Sequence, residues 1–302
     1  MNQQFLTELK AVTAENRIFT DEPMKKHTTF RVGGPADILV QPKGTELASV
    51  IRLCRKYDVP YQVIGNGSNL LVGDRGIRGL VIEMLSKEDE ICVEDDCITV
   101  GAGKLLSKTA NRAAEHGLTG MEFAAGIPGS IGGAVVMNAG AYGGEMKDIL
   151  TAVTVLDQEG NEKILSAEEL ELGYRTSCIL KKGYIVTGAK IKLKHGEETA
   201  IRARMEELKK QRVEKQPLEY PSAGSTFKRP EGYFAGKLIM DAGLRGYLVG
   251  EAQVSEKHCG FVINRGNATA ADVRTLMQNV ADIVEEKFGV RLEPEVKMIG
   301  EF

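Results

Sequence analysis

The chain has 302 residues, of which 42% are hydrophobic, so its length suggests about two domains and its composition supplies a core for each. This composition excludes intrinsic disorder. The 39 Lys and Arg side chains against 42 Asp and Glu give a net charge of −3, which leaves no basic surplus to neutralise nucleic-acid phosphates.

The first half of the chain alternates predicted helices and strands. Apolar residues at i, i+3, i+4 and i+7 predict a helix from Thr45 to Tyr57, and Gly117 is well placed to end another. Turn-forming Gly, Asn and Asp residues separate strand-sized apolar runs. The predicted helices cover residues 4–15, 45–57 and 104–116. The predicted strands cover residues 37–42, 61–65, 70–72, 79–84 and 97–103.

The second half contains a long charged helix, which we predict over residues 197–215. Its polar character and the following Pro217 are typical of a connector, so we place the domain boundary near residue 197. The predicted domains are therefore residues 1–197 and 198–302. The remaining predictions are strands over 151–157, 184–193 and 290–300 and a short helix over 166–170.

A capping-box-like pair, Thr269 and Asp272, begins the strongest predicted helix. The apolar face of this helix carries Val273, Leu276, Met277, Val280, Val284 and Phe288. We expect this face to be buried in the second domain.

Cysteine usage and the start of the chain bear on location and metal binding. The five cysteines form no Cys-x-x-C pair and lie at no metal-ligand spacing from histidine, so we expect them to be reduced and predict no metal site. The first residues include acidic side chains where a signal peptide would need an apolar run. We therefore expect a cytoplasmic protein.

Residues 123–144 form an uncharged segment about as long as a membrane span. Its seven glycines, with Pro128 and Asn138, would leave backbone groups unpaired in lipid, so we reject a membrane-crossing role. In a chain with 34 glycines, such a segment instead suggests backbone amides presented to a phosphate or a planar ring.

A second glycine-containing loop follows the strand predicted over residues 61–65. It consists of Gly65, Asn66, Gly67, Ser68 and Asn69. The loop looks like the start of a G-x-G-x-x-G motif, but position 70 is Leu and no helix follows, which disfavours a Rossmann site, and the chain has no P-loop motif. An ordinary Asn-Gly turn is one interpretation of this loop alone. Together with the segment Gly126–Gly133, it favours a nucleotide cofactor.

The chain carries seven motifs in the order HTTFRVGG (27–34), IGNGSNLLV (64–72), AGIPGSIGGAVVMNAGAYGGE (125–145), GYRTS (173–177), AGSTFK (223–228), VSEKH (254–258) and LEPEV (292–296). In this order they resemble the UDP-N-acetylenolpyruvoylglucosamine reductase (MurB) family over nearly the whole chain. Each motif is weak alone, whereas seven in family order are highly specific. Because 302 residues leave no room for the extra substrate-capping insertion of the longer subclass, the chain resembles the compact subclass.

The resemblance implies an α+β fold: a two-lobed FAD-binding domain of the vanillyl-alcohol-oxidase (PCMH) type, followed by an α+β substrate-binding domain. It implies noncovalent FAD as cofactor and NADPH as co-substrate. The implied reaction reduces the enolpyruvyl group of UDP-N-acetylglucosamine enolpyruvate to give UDP-N-acetylmuramate, a peptidoglycan precursor. The implied cofactor-binding residues are Gly65, Asn66, Gly67, Ser68, Asn69, Gly126, Ser130 and Gly133. We infer no obligate protein partner.

Three residues would carry the chemistry that the resemblance implies. When hydride adds to C3, negative charge develops at C2 and at its carboxylate, and the guanidinium of Arg175 suits that carboxylate. Ser225 would donate the proton to C2. Glu295 matches the catalytic glutamate of the family, and we expect it to be protonated or to act through a water or Arg175, since a carboxylate would repel the charge.

The resemblance also implies substrate contacts at Tyr174, Lys228 and His258, where Lys228 would stabilise the Ser225 alkoxide or bind a phosphate. Two other functions remain alternatives at this point. A flavin oxidase of the same superfamily would often tether flavin through a histidine in the first glycine loop, and this loop has none. A catalytically inactive nucleotide-sugar binding protein would have no reason to keep Arg175, Ser225 and Glu295 together.

Overall fold

The computed structural model describes residues 3–85 and 91–302. The chain divides into two compact units. The first unit comprises Met1–Phe19, Ile38–Asn66 and Gly79–Gln211. The second unit comprises Thr20–Asp37, Gly67–Arg78 and Arg212–Phe302.

The division differs from a single boundary at residue 197, and side-chain burial explains why. Met205, on the long charged helix, packs against a core of the first unit, so most of that helix belongs there. Phe30, Val32 and Leu71 are buried in the core of the second unit, which draws two early segments into it. The assignment of flavin and substrate to these units stays a prediction.

The α-helices of the described residues are α1 Gln3–Val12, α2 Gly44–Lys56, α3 Leu106–Glu115, α4 Ile131–Val136, α5 Cys178–Lys182, α6 Glu198–Lys215, α7 Ala235–Asp241 and α8 Ala270–Phe288. The strands are β1 Ile18–Pro23, β2 Pro35–Val40, β3 Tyr61–Ile64, β4 Leu70–Val72, β5 Ile77–Glu83, β6 Ile91–Glu94, β7 Cys97–Gly101, β8 Leu118–Thr119, β9 Gly140–Ala141, β10 Gly144–Glu145, β11 Leu150–Leu156, β12 Glu162–Ser166, β13 Ile185–Lys192, β14 Lys194–His195, β15 Ser222–Ser225, β16 Leu248–Val249, β17 Ala252–Val254, β18 Phe261–Asn264 and β19 Lys297–Ile299. None of these helices is both long and apolar enough to cross a membrane.

The first unit has two hydrophobic cores, each with its own sheet. One core packs α1 and α2 against strands that include the parallel pair β3 and β5. In the other core, buried residues of α3 and α4 pack against the antiparallel sheet of order β12-β11-β13-β7-β6. Along β13 the buried Ile185, Ala189 and Ile191 lie on one face, because successive side chains of a strand point to opposite sides.

The second unit is built on an antiparallel sheet of order β15-β18-β17-β16. The apolar face of α8 and the buried residues of α7 pack into the same core. The C-terminal strand β19 pairs in parallel with β4, so Lys297 lies opposite Leu70. This pairing fixes the end of the first glycine loop beside the C-terminal segment.

Most predicted helices and strands are confirmed, and three predictions are wrong. Residues 167–171 form a turn rather than a helix, because Glu171 has a φ of +50°, and the backbone leaves the helical range after the single turn that Ser166 and Glu169 close. The strand predicted over 290–300 is limited to β19, since Pro294 cannot donate a ladder hydrogen bond. Phe288, at the last turn of α8, is 40% exposed rather than buried.

The N-terminus of α8 generates a stability prediction. The carboxylate oxygens of Asp74 accept hydrogen bonds from the N–H groups of Ala270 (2.8 Å) and Ala271 (2.9 Å). Asp74→Ala should therefore lower the free energy of unfolding of the second unit by about 1–2 kcal/mol in a urea titration. The control is Asp241→Ala, which removes only an exposed ion pair with Lys237 and should cost less than about 0.5 kcal/mol. Equal losses in the two variants would contradict the capping role.

Candidate active site

The first glycine loop connects β3 to β4 through residues 65–69. Gly67 has φ +59°, and a Cβ there would lie 1.9 Å from the His27 carbonyl oxygen, so only glycine fits. Within residues 3–85 and 91–302, the N–H groups of Asn66, Gly67 and Ser68 donate to no other protein atom. Consecutive backbone donors of this kind suit an anion such as a pyrophosphate.

The second glycine segment enters α4 through Ser130, which is 2% exposed. The Ser130 hydroxyl accepts a hydrogen bond from the N–H of Gly133 (3.4 Å) and caps the helix. Gly126 and Gly133 are exposed. The segment therefore presents backbone to solvent at both ends while a buried hydroxyl fixes its middle.

The two glycine segments meet within the first unit. A Cβ on Gly65 would lie 2.2 Å from the Ser130 hydroxyl oxygen, closer than any van der Waals contact allows. The Asn66 side-chain amide donates to the Pro128 carbonyl oxygen at 2.7 Å. Residues predicted from separate motifs to bind one cofactor are thus adjacent, and their donor groups suit the phosphates of a dinucleotide such as FAD.

Asn69, the last residue of the first loop, has different contacts. Its side-chain amide donates to the Glu295 carbonyl oxygen at 3.2 Å, and its own carbonyl accepts from the N–H of Lys297 at 2.9 Å. Asn69 therefore holds the main chain of the predicted catalytic glutamate. Its predicted contact with the cofactor stays a prediction.

Arg175 lies in a tight turn of the first unit. The N–H of Thr176 donates to the Gly173 carbonyl at 3.3 Å, and the N–H of Gly173 donates to the Thr176 carbonyl at 3.1 Å. The Arg175 guanidinium donates to the Gly140 carbonyl at 3.1 Å and lies 5.2 Å from the centre of the Tyr174 ring. The Tyr174 side chain is 53% exposed, so a cation and an aromatic ring are presented together.

Ser225 and Glu295 belong to the second unit, on two segments that pair with each other. The N–H of Glu295 donates to the Thr226 carbonyl at 2.9 Å, and the N–H of Lys228 donates to the Glu293 carbonyl at 2.8 Å. Phe227 and Pro294 form an antiparallel bridge between these bonds. Ser225 is exposed and Glu295 is half-buried. The fold therefore places a hydroxyl and a carboxyl on two neighbouring segments of the chain.

The two glutamates on either side of Pro294 have different surroundings. Glu293 is exposed, and the Lys228 ammonium donates to its carboxylate at 2.9 Å. That hydrogen bond and the charge of Lys228 lower the pKa of Glu293 below its usual value. Glu293 is therefore an ordinary ionised surface carboxylate. Glu295, by contrast, is half-buried, and its backbone is bound to Thr226.

His258 lies on the second unit against Phe261, with ring centres 5.0 Å apart. Its Nδ1 accepts a hydrogen bond from the N–H of Gly260 at 3.1 Å, so the proton of the neutral ring is on Nε2. Burial lowers the pKa of His258 below its usual value because it disfavours the charged form. The neutral ring therefore offers one N–H donor to a ligand.

Comparison with known proteins places these features in a family. Residues 36–166 match the model of an FAD binding domain, and residues 216–299 match the C-terminal domain of UDP-N-acetylenolpyruvoylglucosamine reductase. The reductase of Agathobacter rectalis is 58% identical, and the alignment covers 100% of both chains. The chain belongs to the UDP-N-acetylenolpyruvoylglucosamine reductase family. The reductase of Lachnoclostridium phytofermentans is 56% identical, with 100% of this chain and 99% of the relative covered.

Solved structures support the same fold. The reductase (MurB) from Thermus caldophilus aligns with a TM-score of 0.79 and 40% identity over 91% of this chain and 97% of its own. Alkyldihydroxyacetonephosphate synthase aligns with a TM-score of 0.50 and 15% identity over 98% of this chain and 65% of its own, a likeness of fold alone. The predicted fold class and the flavin oxidoreductase class are confirmed.

Sequence reasoning missed one residue that organises this family's arginine motif in the present chain. Asn138 is fully buried, and its amide binds the Gly173 carbonyl at 3.0 Å. The available signal was its position as the only side-chain amide of the uncharged segment 123–144. Spacing could not reveal its partner, because the two residues lie 35 positions apart.

The contact between the two glycine segments generates a prediction for this reductase. Gly65→Ala should raise the dissociation constant of FAD at least about tenfold, since its methyl group must displace Ser130 from the cap of α4 and overpacking of this kind costs about 1–3 kcal/mol. FAD binding is measured by fluorescence titration of the flavin-free protein. Gly44→Ala is the matched control, because a Cβ at Gly44 meets nothing within 4 Å. Equal FAD affinity in the two variants would refute the contact's role.

Proposed function

We propose that the protein reduces the enolpyruvyl group of UDP-N-acetylglucosamine enolpyruvate to UDP-N-acetylmuramate, with NADPH as electron donor and noncovalent FAD as cofactor. The observation that carries the proposal is the pairing of the Ser225 segment with the Glu295 segment in the second unit. It is supported by relatives that carry the reductase name over their full length. This step belongs to peptidoglycan-precursor synthesis and fits a cytoplasmic enzyme.

The two glycine segments would hold FAD. Their backbone N–H groups would bind its phosphates, and the predicted residues are Gly65, Asn66, Gly67, Ser68, Asn69, Gly126, Ser130 and Gly133. The loop over residues 65–69 contains no histidine for attachment, which favours noncovalent binding. When bound and reduced, FAD would supply a hydride for C3 of the enolpyruvyl group, with NADPH as the reductant.

Arg175 would bind the carboxylate of the enolpyruvyl group. A guanidinium stays charged at every relevant pH and can donate two parallel hydrogen bonds to a carboxylate. Its bond to the Gly140 carbonyl orients it before the substrate arrives, so little conformational entropy is lost on binding. Tyr174, beside it and 53% exposed, would contact the same part of the substrate.

Ser225 would protonate C2 after hydride addition. Its exposed hydroxyl, at the end of β15, is a weak acid, but the enolate-like centre that it meets is a strong base. Lys228 would then have one of two roles. It would stabilise the alkoxide that remains on Ser225, or it would bind a phosphate of the substrate. The Lys228 ammonium has three N–H donors, so in either role it can bind the new partner and keep its hydrogen bond with Glu293.

Glu295 would act on the same centre as a proton carrier rather than as a charge. Its N–H is fixed by Thr226 and its carbonyl by Asn69, so both sides of its backbone are bound. A protonated carboxyl can donate a hydrogen bond to the developing anion, directly or through a water, whereas a carboxylate would repel it. His258 would supply a neutral N–H donor to the substrate.

The different surroundings of the two glutamates generate the test of this proposal. Glu295→Gln should slow the oxidation of reduced flavin by substrate at least about 100-fold, or roughly 3 kcal/mol, because glutamine cannot give up a proton to the developing anion. Glu293→Gln removes an exposed ion pair and should change the same rate by less than about threefold. Both rates are measured by anaerobic stopped-flow absorbance. Similar rates in the two variants, or the opposite order, would remove Glu295 from the mechanism.

A further inference from the structure

The backbone of Arg175 is strained. Its φ is +53°, in the left-handed region that is sterically unfavourable for a residue with a side chain. It occupies the third position of the turn Gly173–Thr176, where positive φ favours glycine. Such strain persists only where the surrounding structure enforces it, so the contacts of this turn matter.

Those contacts come from residues 136–140, in the later part of the uncharged segment 123–144. The Asn138 side-chain N–H donates to the Gly173 carbonyl at 3.0 Å, and the Ser177 hydroxyl donates to the Val136 carbonyl at 2.8 Å. With the bond from Arg175 to Gly140, residues 136–140 hold the turn at both ends and at its tip. The arginine turn therefore cannot move independently of this segment.

Asn138 is suited to this position by both atoms of its amide. Its oxygen accepts from the N–H of Lys147 at 2.9 Å, which fixes which way the amide points and directs its NH2 group at Gly173. The side chain is fully buried. Its own φ is +40°, a conformation that Asn tolerates better than most residues. A buried amide with both ends bound is a rigid strut.

We infer that Asn138 is a positioning residue that fixes the Tyr174–Arg175 turn, and so sets how tightly the protein binds a substrate carboxylate. The inference rests on the proposed function, which places Arg175 at that carboxylate. It predicts a selective defect. Loss of the hydrogen bond from Asn138 to Gly173 weakens the binding of ligands that carry the carboxylate and leaves the binding of otherwise similar ligands without it unchanged. A purely structural role would weaken both kinds equally.

Two sugar nucleotides make the comparison possible. UDP-N-acetylmuramate carries the carboxylate, and UDP-N-acetylglucosamine has the same nucleotide and sugar without it. The binding of each to the FAD-loaded enzyme is measured by isothermal titration calorimetry. Asn138→Asp is nearly isosteric and keeps the acceptor for Lys147, but it places an oxygen against the Gly173 carbonyl.

We expect Asn138→Asp to weaken the binding of UDP-N-acetylmuramate at least about tenfold and that of UDP-N-acetylglucosamine less than about twofold, with the FAD content unchanged. Arg175→Met should show the same selectivity. The double variant should bind UDP-N-acetylmuramate no more weakly than Arg175→Met alone, because residues that act through one group are not additive. Asn138→Gly, which accommodates φ +40°, replaces the Asp variant if that variant does not retain FAD.

Asn264→Asp is the matched control. Asn264 is 1% exposed, its amide donates to the Phe30 carbonyl at 3.1 Å, and its oxygen accepts from the N–H of Gly266 at 2.8 Å, so it is the same kind of buried strut in the second unit. It should lower thermal stability as Asn138→Asp does, without changing the ratio of the two affinities.

Four outcomes would overturn the inference. Equal weakening of both ligands by Asn138→Asp would show a structural role alone. Additive losses in the double variant would show that Asn138 does not act through Arg175. If Arg175→Met shows the selective loss and Asn138→Asp shows none, the inference fails while the proposed role of Arg175 stands. If Arg175→Met leaves both affinities unchanged, that role is wrong and the inference falls with it.

Discussion

The first unit depends on the close approach of two chain segments at Gly65. A single methyl group at this position would lie 2.2 Å from the Ser130 hydroxyl oxygen, so the absence of a side chain is what lets the two glycine segments meet. The same hydroxyl caps α4, and the Asn66 amide closes the contact through Pro128. Backbone donors from two distant motifs are thereby collected around one place.

The uncharged segment over residues 123–144 makes two separate sets of contacts. Its beginning meets the first loop at Gly65, and its end, over residues 136–140, holds the strained turn that carries Arg175. α4 connects the two, with its buried residues in the core of the first unit. The predicted cofactor-binding segment and the arginine turn are therefore joined by one continuous stretch of chain. The polar contacts of this stretch are made by its backbone, the Ser130 hydroxyl and the buried Asn138 amide.

In the second unit, Pro294 separates two glutamates of different character. In the paired segments over residues 225–228 and 293–296, the exposed Glu293 binds Lys228, whereas the half-buried Glu295 is held through its N–H at the Thr226 carbonyl. Residues two apart on a regular strand would share a face. The irregular backbone at Pro294 gives them different surroundings, and Asn69 fixes the carbonyl of Glu295.

The sequence was informative wherever the signal was local. Periodicity and caps predicted α2, α3 and α8, and motif order predicted the family, the fold class and the flavin chemistry. The short strands β15 to β18 carry no alternation, since all four residues of β18 are buried, so they were not predicted. The strut from Asn138 to Gly173 and the bond from Asn69 to Glu295 join residues 35 and 226 positions apart, which no local pattern encodes.

The central claim is that this chain passes electrons from NADPH through FAD to an enolpyruvyl sugar nucleotide. Its most direct test is an anaerobic titration of the purified protein, followed by flavin absorbance. The account predicts that NADPH bleaches the oxidised flavin and that UDP-N-acetylglucosamine enolpyruvate then restores the colour with one equivalent of UDP-N-acetylmuramate formed. A reduced flavin that stays bleached with this substrate and regains its colour only with O₂ would contradict the account.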